Sequence, residues 1–598
     1  MELIIHDRHY ETWSYTPKEV PNNSSVFNLV DFDPIHFDPI HFDPIHFDPL
    51  EFKLFHGDII LLKAYEPVIS SPSPYRSNDA IPGILIVDGN TYGRLNDNKL
   101  LYKCIPDDKC LPAFLIPYEY KGKDFSKIKI NKYITFKIKT WEDKHPIGTL
   151  TNMLGDVDKS DNFYNYQLVC KGLNQSITAF TKTTKDYLKT MDRENITHEI
   201  ILNKCIEDRR DQYVFSIDPA GSKDIDDAIS IVKNANNTVI SIYIANVPIL
   251  LDYLQLWTHF GERISTIYLP NGKQTMLPAI LSDDLCSLLS GKERIAFCMD
   301  ICLQNKKDIT INFKPVTIKV RKNYVYEETS LLTNEAYIQL YQTTKALNMQ
   351  YKFVDIVKDS HDVVEFYMIF MNFECSKKLL KENTGIFRST KKIETVSDIP
   401  IIENIPIIEN IPIIENIPII ENIPIEMQKF MQTYNSMSGN YCDVTNVSAH
   451  ALIGQGLSSY VHITSPIRRL VDLINLIEFQ QEYMSEPAKA FSKCWLQKID
   501  YINSTMKKIR KVQNNCLLLD LYLKEKTSSL HLEYTGLLFN KTVYNNAICK
   551  YSIYIPELKI VSTIKTKVNI YNYTVVTVSP YLFKNEDSLL NKVRFQIV

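Results

Sequence analysis

The stretch VFSIDPAGSKDIDDAISI, residues 214–231, places four carboxylates between two short apolar runs. The apolar runs predict strands, and the Pro and Gly between them predict a connecting loop. The carboxylates are Asp218, Asp224, Asp226 and Asp227. Like charges this close destabilise a fold unless a cation compensates them, and oxygen-only ligands favour a hard ion such as Mg²⁺ over zinc. The pattern therefore predicts a magnesium site of the kind that assists phosphodiester hydrolysis.

Three other interpretations of the acidic stretch stay open at this point. A calcium-binding EF-hand loop needs D-x-[DN]-x-[DN]-G followed by Glu at position twelve, and the spacing from Asp218 or Asp224 does not match it. Plain surface acidity is an alternative that the flanking apolar runs do not favour. A magnesium phosphatase built on the D-x-D of Asp224 and Asp226 is a further alternative, but it leaves the next motif unexplained.

A second stretch, SYVHITSPIRRLVDLINL at residues 459–476, combines a strand breaker with two arginines. Ser465 and Pro466 end a predicted strand, and a helix is expected to follow with Arg468 and Arg469 in its first turn. Positive charge is poorly matched to a helix N-terminus, whereas a guanidinium recognises phosphate bidentately. The pair therefore predicts a phosphate contact, with a structural salt bridge as the alternative.

Composition indicates an intracellular globular protein of several domains. The 598 residues carry a net charge of −3 and are 45% apolar, which excludes a disordered chain. The 12 cysteines contain no C-x-x-C pair, so a zinc site is not expected. No apolar run approaches the ~18–20 residues needed to span a bilayer. We expect a cytoplasmic or otherwise intracellular protein, with nucleus and virion left open, that does not bind membranes.

Short alternating runs and two low-complexity tracts organise the rest of the chain. Alternating runs between residues 52 and 195, and again in the last 70 residues, predict small β-barrels, whereas strands and helices mix between about 200 and 525. FDPIH repeats through residues 31–50, and IPIIEN repeats through about 399–426. A Pro at every fifth or sixth position forbids a regular helix and a central strand, so both tracts predict tolerated insertions.

Together with a third stretch, these motifs resemble the ribonuclease II/R (RNB) family. That stretch, RISTIYLPNGKQTMLPAILSDDLCSLLSG at residues 263–291, is similar to the family's R-x-TSVYLPxxxIPMLPxxLSxxLCSL. The other two are similar to the family's DPADAKDLDDA and Y-x-HFTSPIRRYPDL. The resemblance covers about residues 52–598, and the motifs occur in the family's order.

The resemblance implies an α+β multidomain fold. Two cold-shock-type OB barrels would precede a mixed α/β RNB catalytic domain, and an OB-type RNA-binding barrel would follow it. The implied division is an N-terminal tail at 1–51, barrels at 52–110 and 111–195, the catalytic domain at 200–525 with its repeat insertion at about 397–426, and the last barrel at 528–598.

The resemblance also implies the chemistry. Asp218 and Asp227 would be magnesium ligands, Asp224 would support the metal site, Asp226 would orient or activate the attacking water, and Arg468 would hold the scissile phosphate. One or two Mg²⁺ ions are implied, with Mn²⁺ able to substitute. Further RNA-binding positions are implied at Tyr268, Tyr326, Glu365, Asn372, Arg469, His462 and Ser465.

The implied activity is 3′-to-5′ hydrolysis of single-stranded RNA to nucleoside 5′-monophosphates, by a monomer. The alternative is a catalytically weak relative that binds RNA as a repressor or scaffold. Three positions around the site depart from the family pattern, at Asn246, Leu470 and Leu476, which puts rate and channel shape in doubt more than the chemistry.

Overall fold

The computed structural model describes most of the chain in two compact units. One unit comprises Met1–Asn174, Asn515–Leu530 and Tyr581–Arg594, and the other comprises Gln175–Asn514, His531–Pro580 and Phe595–Val598. The description leaves out residues 17–46, 64–65, 95–98, 121–128, 191–195, 205, 234–236, 305–307, 390–439, 448–456, 527–532, 545–547 and 583–592. The FDPIH repeats up to residue 46 and the whole IPIIEN tract therefore lie outside the described residues.

The first unit begins with a four-stranded antiparallel sheet. Its strands are β1 (Glu2–Ile5), β2 (Trp13–Thr16), β3 (Ile59–Lys63) and β4 (Glu66–Ser71), in the order β2-β1-β3-β4. Leu3 and Ile5 alternate with half-buried neighbours along β1 and face Leu54 and Ile60 in a small core. Residues 2–16 thus form strands although the sequence assigns them to a tail.

A closed barrel follows in the same unit. Its strands are β5 (Ile81–Leu85), β6 (Thr91–Arg94), β7 (Leu100–Pro106), β8 (Phe114–Tyr118), β9 (Lys132–Thr140) and β10 (Ile147–Asp156). The order is β5-β9-β10-β8-β7-β6, and β5 also pairs with β7, which closes a ring of five strands. Phe114 and Phe136 fill it. The predicted division between residues 110 and 111 falls between β7 and β8, which pair in this one barrel, so the structure differs from the sequence there. Helix α1 (Ser160–Cys170) packs against β10.

The second unit is built on a mixed sheet. Two helices come first, α2 (Thr178–Lys189) and α3 (Ile196–Lys204). The elements that follow in chain order are β11 (Glu207–Asp208), β12 (Val214–Asp218), β13 (Asp227–Lys233), β14 (Asn237–Ala245), α4 (Val247–Tyr253), β15 (Ile267–Leu269), β16 (Gly272–Gln274), β17 (Glu293–Gln304) and β18 (Asp308–Val325). The sheet order is β11-β18-β12-β13-β14-β17, with β15 and β16 as a separate hairpin. Since β17 also pairs with β18, five of these strands form a second closed ring.

Helices cover this sheet and complete its core. The helices are α5 (Thr329–Leu332), α6 (Glu335–Tyr351), α7 (Ser360–Lys381), α8 (Leu470–Phe479), α9 (Glu486–Leu496) and α10 (Ile499–Lys526). Two short strands, β19 (Phe387–Ser389) and β20 (Asn440–Cys442), lie between α7 and α8 in the chain. Helix α7 starts at a capping box formed by Asp359 and Asp362. Its buried face, including Phe366 and Phe370, packs in one core with Ile229 and Ile242 of the sheet. The mixed α/β architecture predicted for this region is confirmed.

The chain ends in a five-stranded antiparallel sheet. Its strands are β21 (Tyr534–Tyr544), β22 (Ile548–Ile555), β23 (Ile560–Thr566), β24 (Val575–Leu582) and β25 (Val593–Ile597), in the order β23-β22-β21-β24-β25. Every second residue of β22 is buried, which is the alternation that the sequence shows. Among the described residues, no helix is both long and apolar enough to cross a membrane.

Candidate active site

The four aspartates lie at one end of β12 and β13 and on the loop between them. Asp218 is the last residue of β12, and Asp227 is the first residue of β13. The loop is held by Ser287, whose hydroxyl donates to the carbonyl of Lys223 at 2.8 Å and accepts from the amide of Ile225 at 2.9 Å. The LCSL motif therefore fixes the acidic loop through a side-chain bridge to its backbone.

Asp226 is the most enclosed of the four, with 2% of its surface exposed. The amide of Ile467 donates to its Oδ1 at 2.9 Å, and its Oδ2 lies 3.0 Å from Nε of Arg468 without the alignment of a hydrogen bond. Burial raises the pKa of Asp226 to about 7, although the Arg468 charge opposes the shift. The SPIRR segment thus brings one arginine to one buried carboxylate.

Asp218 and Asp227 are partly buried carboxylates with little compensating charge. Burial raises the pKa of Asp218, although the charge of Arg468 and a 2.7 Å hydrogen bond from the Ser216 hydroxyl both act to lower it. Burial and then the charges of Asp218 and Asp226 raise the pKa of Asp227 well above its usual range. A divalent cation bound between the two carboxylates would favour their ionised forms.

Asp224 is held by the β15–β16 hairpin. Lys273 and Tyr268 face each other across its two strands. The Lys273 ammonium lies 2.7 Å from Oδ1 of Asp224 and 2.9 Å from Asp283, and the Tyr268 hydroxyl donates to Oδ2 of Asp224 at 3.2 Å. Both oxygens of Asp224 are therefore engaged by protein donors. Lys273 is a site residue that sequence reasoning missed.

The predicted metal set is only partly assembled. Within the described residues, no three Asp, Glu, His or Cys side chains are grouped to hold a metal ion. Asp218 and Asp227 fit a hard divalent cation, since they offer oxygen ligands that are buried and short of positive charge. Asp224, the third predicted member, is instead paired with Lys273.

Arg468 and Arg469 have different surroundings. The side chain of Arg468 is 45% exposed beside Asp226, and its Nη2 donates to the Ser465 hydroxyl at 3.1 Å. Arg469 instead pairs with the fully buried Asp472, with Nε 2.8 Å from the carboxylate. Both arginines precede α8, which begins at Leu470, rather than lying in its first turn as the sequence predicts. The salt-bridge alternative thus describes Arg469, and Arg468 keeps an open guanidinium edge.

Residues 206–358 match the RNB domain family. The chain contains an RNB domain. The matched range holds the four aspartates, Tyr268 and Tyr326, whereas Arg468 lies beyond it. DIS3-like exonuclease 2 of Schizosaccharomyces pombe is 28% identical over 218 residues, 32% of this chain and 22% of that protein. The chain spans 19% to 24% of the length of the first three curated relatives.

Solved structures with the same fold cover more of the chain. The structure of Mycoplasma genitalium RNase R in complex with ribose methylated single-stranded RNA has a TM-score of 0.62 at 16% identity, covering 91% of this chain and 95% of that one. The structure of yeast Ssd1, a pseudonuclease, has a TM-score of 0.52 at 15% identity, covering 86% and 69%. These likenesses establish the fold: OB-type barrels together with an RNB domain.

Some of the remaining predicted RNA-binding residues have exposed side chains, and others form hydrogen bonds within the fold. Tyr268 is 42% exposed, and Glu365 is exposed on α7. Asn372 is buried, and its amide joins the Tyr460 hydroxyl at 3.1 Å and the amide of Ile463 at 3.0 Å. The side-chain amide of Asn372 therefore connects α7 to the stretch that precedes the SPIRR segment, residues 465–469.

His462, shortly before that segment, and Ser465, within it, also form hydrogen bonds. The His462 ring lies 3.0 Å from Nη1 of Arg388 and 2.8 Å from the Tyr441 hydroxyl. The amide of Ser465 donates to Asp472 at 2.8 Å. These contacts position the segment that carries Arg468.

The departures from the family pattern are accommodated by burial. Asn246 donates through its side-chain amide to Gln480 at 2.8 Å, which links the start of α4 to the end of α8. Leu470 and Leu476 are fully buried on α8. All three side chains are buried, so they help to pack the interior of the RNB domain.

Proposed function

We propose that this chain is a magnesium-dependent hydrolytic exoribonuclease that degrades single-stranded RNA from the 3′ end to nucleoside 5′-monophosphates. The proposal rests on one observation above all: Arg468 presents a half-exposed guanidinium beside three carboxylates, Asp218, Asp226 and Asp227, whose pKa values are raised. A cationic edge next to a group of buried carboxylates suits a scissile phosphate and a divalent cation.

Each residue then has a defined task. Asp218 and Asp227 would hold Mg²⁺, with Mn²⁺ able to substitute, and the bound ion would supply charge stabilisation at the phosphate and a more acidic water. Asp226 would accept a hydrogen bond from the attacking water, since the Ile467 amide fixes its orientation. Arg468 would hold a non-bridging phosphate oxygen, while Ser465 keeps its side chain in place.

The second candidate is an RNA-binding repressor or scaffold without turnover. Two observations favour it: the fold likeness to the yeast pseudonuclease Ssd1, and the pairing of Asp224 with Lys273. The retained set of four aspartates with Arg468 favours the enzyme, because RNA binding alone does not require buried carboxylates short of positive charge.

A labelled-substrate assay separates the two candidates. Purified protein is incubated with 5′-labelled single-stranded RNA and Mg²⁺, beside Asp226→Asn and a control, Asp186→Asn, whose side chain lies exposed on α2. The expected result is a ladder that collapses to short oligomers with the unaltered protein and the control, and intact RNA with Asp226→Asn.

Binding measured on the same RNA completes the test. RNA bound with equal affinity by all three proteins, and cleaved by none, would refute the enzyme and favour the scaffold. Cleavage that persists in EDTA would refute the metal requirement while leaving the nuclease.

A further inference from the structure

The ring of Tyr326 does not stand alone at the end of β18, because the imidazole of His361 stacks on it. The ring centroids are 3.6 Å apart, and the planes are inclined by only 6°. Tyr326 is half-buried, whereas His361, the second residue of α7, is exposed. One face of the tyrosine is thus covered by a second flat ring that solvent can reach.

The backbone around this pair is built to hold it. Glu327, which follows Tyr326, has φ 56°, a left-handed conformation that a non-glycine residue rarely adopts. Its carboxylate accepts from the amide and the hydroxyl of Ser360 at 2.7 and 2.5 Å, and its own amide donates to that hydroxyl at 3.2 Å. Three hydrogen bonds therefore join the end of β18 to the start of α7, directly beside the stacked rings.

The stack adjoins the carboxylates of the candidate active site. The amide of Tyr326 donates to the carbonyl oxygen of Asp218 at 3.2 Å. Burial and the charges of Asp227 and Asp218 raise the pKa of the Tyr326 phenol, so the phenol stays neutral at physiological pH. Glu365 lies one helical turn beyond His361 on α7, on the same side of the helix.

We propose that His361 is a nucleobase-stacking residue, which binds the 3′-terminal base of the RNA on an imidazole supported from beneath by Tyr326. The inference rests on the proposed function and extends it by a residue to which the sequence motifs assign no role. A flat ring fixed parallel to a second ring offers a preformed platform, and stacking accepts any base because every base has a π-face. His361 therefore confers grip on the terminal nucleotide without base preference.

The test uses RNA with 2-aminopurine as its 3′-terminal base, because stacking quenches the fluorescence of this base. Binding is measured in the Asp226→Asn protein, which is expected to leave the RNA intact, and His361→Ala and His361→Phe are compared on that background. The phenyl ring of His361→Phe keeps the platform. We expect His361→Ala to weaken binding by about 5- to 150-fold and to lose most of the quenching, and His361→Phe to retain both.

Two controls keep the outcome unambiguous. Thermal unfolding of both His361 variants is expected to match the parent protein, since the side chain is exposed. Moving 2-aminopurine to the 5′ end should remove the dependence on His361. Equal affinity and equal quenching in His361→Ala would overturn the inference alone. Failure of the unaltered protein to bind or cleave RNA would overturn the proposed function, and this inference with it.

Discussion

The contrast between Arg468 and Arg469 shows how neighbouring identical residues acquire different partners. Arg469 is drawn to Asp472, whose carboxylate is fully buried and also accepts from the amide of Ser465. The side chain of Arg468 lies beside Asp226, and its backbone carbonyl accepts from the amide of Thr266 at 2.9 Å. The backbone pairing with residues 264–266 thus sets which arginine faces the aspartates.

Replacing Arg468 by Lys should slow RNA cleavage by about 100-fold while RNA affinity changes little. A lysine ammonium is a point charge that cannot contact Asp226, Ser465 and a phosphate oxygen from one planar group. The measurement is the single-turnover rate at saturating protein, with affinity taken from binding to the Asp226→Asn background.

The matched control for this substitution is Arg469→Lys. It should lower the thermal unfolding midpoint, because the ion pair with buried Asp472 loses its second nitrogen contact. Its cleavage rate per folded molecule should fall much less than that of Arg468→Lys, because the Arg469 side chain pairs with Asp472. A larger loss of rate in Arg469→Lys than in Arg468→Lys would contradict the assignment.

Lys273→Met should raise the affinity of the site for a divalent cation. The substitution removes a positive charge 2.7 Å from Asp224, so the acidic cluster becomes more negative by one charge. Two unit charges ~5 Å apart repel each other by about 1 kcal/mol even when they are screened as strongly as in water. Removing the repulsion between the lysine and the bound cation should therefore tighten cation binding by at least about fivefold. Mn²⁺ titration followed by electron paramagnetic resonance measures the effect without turnover.

Lys273→Arg keeps the charge and should bind Mn²⁺ as the unaltered protein does. Weaker binding in Lys273→Met would show that the lysine organises the site for metal.

At this scale the sequence predicted residues but not their partners. The four aspartates and Arg468 stand in short motifs, and the structure brings Asp226 to Arg468 across a separation that no local pattern encodes. Lys273 escaped notice because its role depends on the register of a hairpin that places it opposite Tyr268. Asn372 was predicted to bind RNA, yet its amide is engaged within the fold, since a motif position does not reveal hydrogen-bond partners.

Among the elements, the mixed sheet contains a buried ion pair that ties β11 to β17. Arg209 follows β11 and donates to Asp300 of β17 through two bonds of 2.7 Å, and the Ser241 hydroxyl of β14 donates to the same carboxylate at 2.7 Å. Burial alone would raise the pKa of Asp300, but these donors outweigh burial and lower it. The pair links three strands of the sheet that carries the aspartates.

Asp300→Asn should lower the free energy of unfolding by about 3 kcal/mol at neutral pH, because it leaves the Arg209 charge buried without its partner. A carboxyl with a lowered folded-state pKa stabilises the fold above its unfolded pKa of ~3.9, and that contribution is lost as pH falls through the folded value. The difference between the unaltered protein and the variant should therefore be constant from pH 8 to about 5 and shrink below about 4.

Urea unfolding at several pH values measures this difference. The exposed Asp211→Asn serves as a control and should show no pH-dependent difference. A difference that widens on acidification would show that Asp300 is not stabilised as a carboxylate.

Element boundaries were predicted less well than element types. The apolar run ISIYIANVPILL, residues 240–251, has the composition of a single buried strand, but β14 ends at Ala245, and α4 begins at Val247 with Pro248 in its first turn. A Pro there lacks the amide that a strand would need and fits a helix start. Helix α7 is easier to recognise from the sequence, because its apolar residues recur with helical spacing over many turns.

For the whole molecule, alternation and helical periodicity predicted small barrels flanking a mixed domain, and this architecture is confirmed. Pairing between distant strands was not predictable in the same way. The N-terminal strands β1 and β2 join β3 across a segment that contains the FDPIH repeats, and alternation over four residues does not identify a partner. The assignment of domain boundaries in the C-terminal half stays a prediction.

Deleting residues 401–424, four units of the IPIIEN repeat, should leave folding and RNA cleavage nearly unchanged. The segment of residues 390–439 joins β19 to β20, and these strands pair, with Ser389 opposite Asn440. The ends of the connection are therefore neighbours, and a connection about half as long can still join them. If the repeat contributes no packing of its own, shorter loop closure stabilises the protein by only about 0.6 kcal/mol.

The measurements are the thermal unfolding midpoint and the cleavage rate on 5′-labelled RNA, compared with a variant in which residues 401–424 are replaced by an equal length of Gly and Ser. We expect the unfolding midpoint to rise slightly on deletion and not to rise on replacement. Cleavage rates should stay within about twofold of the unaltered protein. The reason is that β19 and β20 stay paired, so that Phe387 and Arg388 still support the segment that contains His462. Loss of folded protein in both variants would show that the repeat packs as part of the structure. Loss of cleavage with folding intact would instead assign the repeat a part in handling RNA.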